Sequence, residues 1–116
     1  MSPDGFHPNA PLIRAASLPE PPSSPFLIVG ITADERVFRP SDWAERLAGV
    51  MAAFQPPGQG GGGRFQYSPY ALPARHAAWR CVRVDPTLRQ LEPMALEFLI
   101  NFARDNDLML VTAAAP

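Results

Sequence analysis

The chain contains no lysine. All ten of its basic residues are Arg, set against eleven Asp and Glu, and the formal charge is −1. With Ala, Pro and Gly abundant, the absence of Lys reads more simply as the mark of a GC-rich genome than as selection of Arg for bidentate anion recognition. A near-neutral chain lacks the electrostatic footprint of a non-specific nucleic-acid binder, so nucleic acid is not an expected partner. Cysteine is almost missing too. Cys81 stands alone, which excludes an internal disulfide and fits a reducing compartment. The only histidines are His7 and His76, and neither C-x-x-C nor H-x-x-x-H spacing occurs. A structural zinc needs four ligands and a catalytic zinc three, so neither metal nor cofactor is expected. No run of eighteen apolar residues is present to span a membrane. No basic segment leads into an apolar core as in a secretory signal, and the expected location is cytoplasmic.

Proline, in contrast, is plentiful. Seven of the fifteen Pro fall before Phe26, in a stretch with no apolar period. Residues 1–25 therefore read as a disordered Pro-rich tail. Residues 26–112 read as a single α+β domain, and 113–116 as a frayed end.

The domain opens on Phe26 to Thr32, an apolar run closed on its N-terminal side by Pro25. Its length and its Ile and Val content predict a strand buried on both faces. The segment 41–54 is expected to be a helix, with Ser41 as its cap and Pro56-Pro57 as its stop. Trp43, Leu47, Val50, Met51 and Phe54 recur on one apolar stripe. Gly58 to Gly63 matches G-x-G-x-x-G by spacing, but it follows a helix where a dinucleotide fingerprint follows a strand. It reads as a linker. The alternating segment 64–68 is expected to be a strand, and Pro69 after it points to a sheet edge. A loop over 70–77 and a strand over 78–84 follow. A second helix is expected over 93–105, with Pro93 at its first position and Asn106 at its end. The chain closes with a strand over 108–112. This β-α-β-β-α-β order is the ferredoxin-like pattern of a two-layer α/β sandwich with a mainly antiparallel sheet.

Three phrases carry a resemblance: Phe38-Arg39-Pro40-Ser41-Asp42-Trp43-Ala44-Glu45-Arg46-Leu47, Tyr67-Ser68-Pro69-Tyr70 and Asn101-Phe102-Ala103-Arg104-Asp105-Asn106. Over about residues 26 to 112 the chain resembles a family of short proteobacterial proteins, domain of unknown function 3579. The resemblance implies a small bacterial α+β domain with no assigned activity, and it transfers no catalytic residue. The Gly-rich linker and the long tail look like additions to the family pattern.

No nucleophile stands out. Cys81 alternates with Trp79 on a central strand, as a small core residue would, and Ser68 lacks the Gly-flanked elbow of a hydrolase. No catalytic residue is assigned and no enzymatic activity is expected. The most site-like stretch is the loop that gathers Arg64, Tyr67, Ser68, Tyr70, Arg75 and His76, because Tyr and Arg dominate binding hot spots. Pro69 and Pro73 shaping a plain turn is the competing reading. Helix 93–105 carries more apolar surface than one sheet can bury. Met94, Phe98, Leu99 and Phe102 are assigned to the sheet, and Leu96 and Ile100 to a two-fold dimer contact. The expected function is a non-enzymatic interaction or regulatory module, homodimeric, binding a small effector or a protein partner. The alternative is a single-stranded RNA binder with Phe65, Tyr67, Trp79, Arg80 and Arg83 on an open sheet face.

Overall fold

The structure is a computed structural model and describes residue 6, residues 9–55 and residues 67–112. Its centre is β2 (Phe26–Thr32), buried along almost its whole length. Apolar residues at every position need cover on both faces, and the chain supplies it. β2 pairs antiparallel with β4 (Trp79–Val84) on one side and with β5 (Leu108–Thr112) on the other. β3 (Ala71–His76) adds to the outside of β4, and the short β1 (Ile13–Arg14) to the outside of β5. The sheet is thus five-stranded and antiparallel, in the order β1-β5-β2-β4-β3. Three helices complete the domain: α1 (Trp43–Val50), α2 (Leu88–Leu91) and α3 (Pro93–Asp105).

Side chains alternate across a strand, so each face of the sheet has its own core. Phe26, Ile28, Ala71, Val82, Val84, Leu108 and Leu110 meet Trp43, Leu47 and Met51 of the α1 segment and Leu96, Leu99 and Ile100 of α3. On the other face Leu27, Val29, Ile31, Cys81 and Val111 lie with Phe6, flanked by Ala10, Leu12 and Trp79.

The N-terminal part corrects the expectation of a disordered tail where it is described. Ile13 and Arg14 pair with Leu110 and Met109, and Ala15 is buried. Arg14 forms an ion pair with Asp107 at 3.0 Å, and the Arg104 guanidinium donates to the Leu18 carbonyl at 2.8 Å. Leu12, Ile13, Ala15 and Leu18 supply enough apolar surface between the prolines to fasten the segment to the β5 edge. Residues 113–116 and the Gly-rich segment 58–63 lie outside the described residues.

Two elements are shifted from expectation. The helix predicted over 41–54 begins at Trp43, narrows to a 3₁₀ turn at Met51–Ala53 and ends there. Ser41 does not cap it; Asp42 precedes the helix and pairs with Arg46 at 2.9 Å. The loop expected over 70–77 is replaced by β3. Tyr67 and Ser68 lie before it, and residues 64–66 fall outside the described part. β3 forms because a two-residue turn, Ala77-Ala78, folds it back on β4 with His76 opposite Trp79.

α3 has the expected bounds but is rotated about its axis: Leu99 faces inward as expected, whereas Met94 and Phe98 are exposed. Ala95, Leu96, Leu99, Ile100 and Ala103 face inward. The small Ala95 and Ala103 let the helix backbone approach the sheet, which a row of Phe would prevent. Leu96 is 1% exposed and Ile100 3%. They are core residues and are not exposed for the dimer contact expected through them.

Candidate binding surface between two helices

The residues singled out in the sequence do not assemble into one site. Ser68 is fully buried. Its hydroxyl donates to the Phe54 carbonyl and accepts from the Tyr70 amide. It fastens the end of the α1 segment to the entry of β3, as a structural turn residue would. Tyr70 packs partly buried against the core, and its carbonyl accepts from the Asp85 amide at 2.9 Å. His76 is buried at the far end of β3 and Arg75 beside it is exposed. Six residue steps of extended chain lead from Tyr70 to His76, about 20 Å. Arg64 lies outside the described residues. The loop reading therefore gives way to a turn at one end of an edge strand and a hairpin at the other.

The residues proposed for an RNA-binding face are divided as well. Trp79 and Arg83 share the face of Cys81, which the N-terminal segment partly covers. Arg80 projects to the helical side and reaches Glu45 of α1 at 3.4 Å. Tyr67 is in no strand, and Phe65 is outside the described residues. Among the described residues no three of His, Cys, Asp and Glu come together as metal ligands would, and no helix is long and apolar enough to cross a membrane.

Among the described residues, a groove between α1 and α3 is the feature with the most apolar, concave lining. The helices run antiparallel over the sheet, with Trp43 and Phe102 level at one end of the groove and Phe54 and Met94 at the other. Two hollows follow one another along it. The first, about 470 Å³, is lined by Val50, Phe54, Met94 and Phe98 among others, with Glu92 at its end. The second, about 280 Å³, is lined by Phe38, Pro40, Trp43, Leu47, Val50 and Phe102, with Arg46 at its end. Val50 and Phe98 belong to both and form the saddle between them.

Local structure explains why the groove stays open. Phe38, Trp43 and Phe102 make a rigid aromatic floor at one end. Phe38 meets Trp43 edge-on at 5.4 Å and Phe102 edge-on at 5.9 Å, while Trp43 and Phe102 stack at 6.2 Å. Trp43 is set deep because Gly30 below it has no side chain. A Cβ there would lie 2.7 Å from the indole Nε1 and 2.8 Å from the Arg80 carbonyl oxygen. At the other end Pro93 begins α3, and the Glu92 carboxylate accepts from the Met94 amide at 3.2 Å. Three apolar side chains stand up along the groove: Met94 is 73% exposed, Val50 61% and Phe98 47%. Scattered apolar side chains are ordinary on a surface, but contiguous ones lining a concavity mark an interaction site.

Sequence reasoning missed these residues by placing Val50, Met94 and Phe98 in the core. The signal was nevertheless present: α3 has more large apolar residues than its inward face can hold.

Comparison with known proteins agrees with this architecture. The family described as Protein of unknown function (DUF3579) matches residues 22–113. One solved structure is described as a solution structure and the first structural representative of its family. It matches with a TM-score of 0.64 at 29% identity, over 82% of this chain and 83% of that one. No curated protein matches the chain. With most of its length matched by the family, including all of α1, α3 and the groove between them, the chain belongs to this family of unknown function.

Proposed function

We propose that the domain is a non-enzymatic interaction module whose binding surface is the groove between α1 and α3. The observation that carries this reading is the line of three exposed apolar side chains, Val50, Phe98 and Met94, above two connected hollows. A folded domain gains nothing by leaving Met94 and Phe98 in water; a partner that covers them gains their transfer energy, about 1.5–3 kcal/mol for each side chain fully buried. The groove takes apolar side chains in a row, as an amphipathic helix presents them. Its framework fits the role. We read the order of the four longer strands as the ferredoxin-like pattern, in which two helices lie side by side on one face of the sheet. The one cysteine of the sequence, Cys81, is buried, which fits a reducing, cytoplasmic setting.

The test is binding of an apolar fluorescent probe, 8-anilinonaphthalene-1-sulfonate, to the folded full chain at submicromolar protein concentration. The wild type enhances its fluorescence. The double variant Met94→Gln, Phe98→Gln, altered only at exposed positions, keeps its melting temperature and loses most of the enhancement. Undiminished binding by this variant overturns the reading.

A further inference from the structure

Each hollow of the groove has one charged residue in its lining, of opposite sign, and this identifies what fits the groove. Arg46 lines the hollow with Trp43 and Phe102, and Glu92 lines the hollow with Phe54 and Met94. The saddle of Val50 and Phe98 lies between them. A half-turn about an axis through the saddle exchanges the two ends. We propose that the occupant of the groove is a second copy of this chain, docked two-fold across Val50 and Phe98. The proposal rests on the groove being the binding surface, and it adds the identity of the partner.

A two-fold contact requires a patch that complements its own rotated image. Three features of the groove meet this condition. Charge is the first: rotation sets Arg46 of each copy against Glu92 of the other, two opposite-sign pairs at the rim. Arg46 uses its Nε for Asp42 at 2.9 Å, and its side chain remains 72% exposed. Glu92 uses one carboxylate oxygen for the Met94 amide. Shape is the second. Met94, the most exposed large apolar residue in the described chain, stands at the Glu92 end. Rotation brings it over the smaller hollow of the other copy, walled by Phe38, Trp43, Leu47 and Phe102. A flexible thioether against aromatic rings is a favourable pairing. Spacing is the third. Arg46 lies four residues before Val50 on α1, and Met94 four residues before Phe98 on α3, each about 6 Å along its helix. Because the helices run antiparallel, the two steps lead away from the saddle in opposite directions, and rotation brings Met94 to the level of Arg46, with Glu92 two residues beyond it.

The test is sedimentation of the full chain from low to high micromolar concentration. The wild type forms a concentration-dependent dimer. Phe98→Glu raises the dissociation constant about 100-fold or more, and so does Met94→Glu, a second variant that keeps the test valid if the first folds poorly. Arg46→Glu and Glu92→Arg each weaken the dimer about tenfold, and the two together restore it, because the reversed charges meet again across the axis. A wild type that stays monomeric overturns the second copy as occupant. The probe assay then decides the groove separately: binding lost in Met94→Gln, Phe98→Gln keeps the groove as a site for another partner, and no binding removes both proposals. A dimer indifferent to both Phe98→Glu and Met94→Glu is built elsewhere and overturns the proposal. Charge reversals that fail to rescue one another overturn the two-fold register.

Discussion

The same substitution, Gly to Ala, should have opposite effects at two positions in this fold. At Gly30 the added methyl would lie 2.7 Å from the Trp43 Nε1 and 2.8 Å from the Arg80 carbonyl oxygen. Real Cβ atoms do not approach other heavy atoms below 3.0 Å, so both neighbours must retreat. Neither can do so cheaply. The indole is held edge-on by Phe38 and stacked on Phe102, and the Arg80 oxygen is backbone of the strand paired with β2. Overpacking a tight core costs about 1–3 kcal/mol, and a clash with backbone puts this case at the upper end. At Gly49, on the exposed side of α1, nothing lies within 4 Å of a new Cβ. There the gain in helix propensity should stabilise by about 0.5–1 kcal/mol. Thermal denaturation of the two variants checks both signs. Gly30→Ala should lower the melting temperature by roughly 10 °C or more, taking about 4 °C per kcal/mol for a domain near this size, and Gly49→Ala should raise it by a few degrees. A Gly30→Ala protein as stable as wild type would refute the placement of Trp43 against β2, and with it the aromatic floor of the groove.

Two further outcomes follow from single contacts. Ser68→Ala removes the buried hydroxyl that joins the Phe54 carbonyl to the Tyr70 amide; it should cost about 1–3 kcal/mol by equilibrium unfolding, with probe binding at the groove retained in the folded fraction. The Asp34 carboxyl is held below its ordinary value of 3.8, chiefly by the Thr32 hydroxyl and also by Arg36. A depressed carboxylate contributes stability above its unfolded value and loses it as pH falls through the folded value. Thr32→Val should therefore move the Asp34 titration, followed by NMR, upward toward 3.8, and an unmoved titration would show that the hydroxyl does not hold the carboxylate.

The parts of the fold that could be read from sequence are those where one residue type dominates or a boundary residue is unambiguous. β2 and β5 are uninterrupted apolar runs, and α3 starts at Pro93 and stops at Asn106. β3 was not legible because Ala-Leu-Pro-Ala-Arg-His has weak strand preference in itself. It is a strand because β4 pairs with it, through a turn in which Ala77 takes φ 54° where Gly or Asn usually serves. The orientation of α3 was misread for a related reason. Size suggested that Phe98 and Met94 face inward, but closeness to the sheet favours Ala95 and Ala103. The groove needs both helices at once, and its Val50 and Phe98 are 48 residues apart in the chain. Ser68 and His76, chosen as binding residues, are the buried polar side chains that such a reading cannot tell from exposed ones.

The sheet has two outer strands, and both are poor templates for another chain. β3 offers its outward side with Pro73, which has no N–H to give, and with the charge of Arg75. β5 would offer a flat apolar border, but β1 occupies part of it with two residues and an Arg14–Asp107 ion pair. Extending the sheet from one molecule to the next is thereby obstructed at either side. Fibril-like growth and strand exchange have no ready starting point, even though the interior of this small sheet is rich in Ile, Val and Leu. Loss of the first strand, by proteolysis before Ala15, would uncover that border. The domain would then be expected to aggregate through β5 while its helical face remained unchanged.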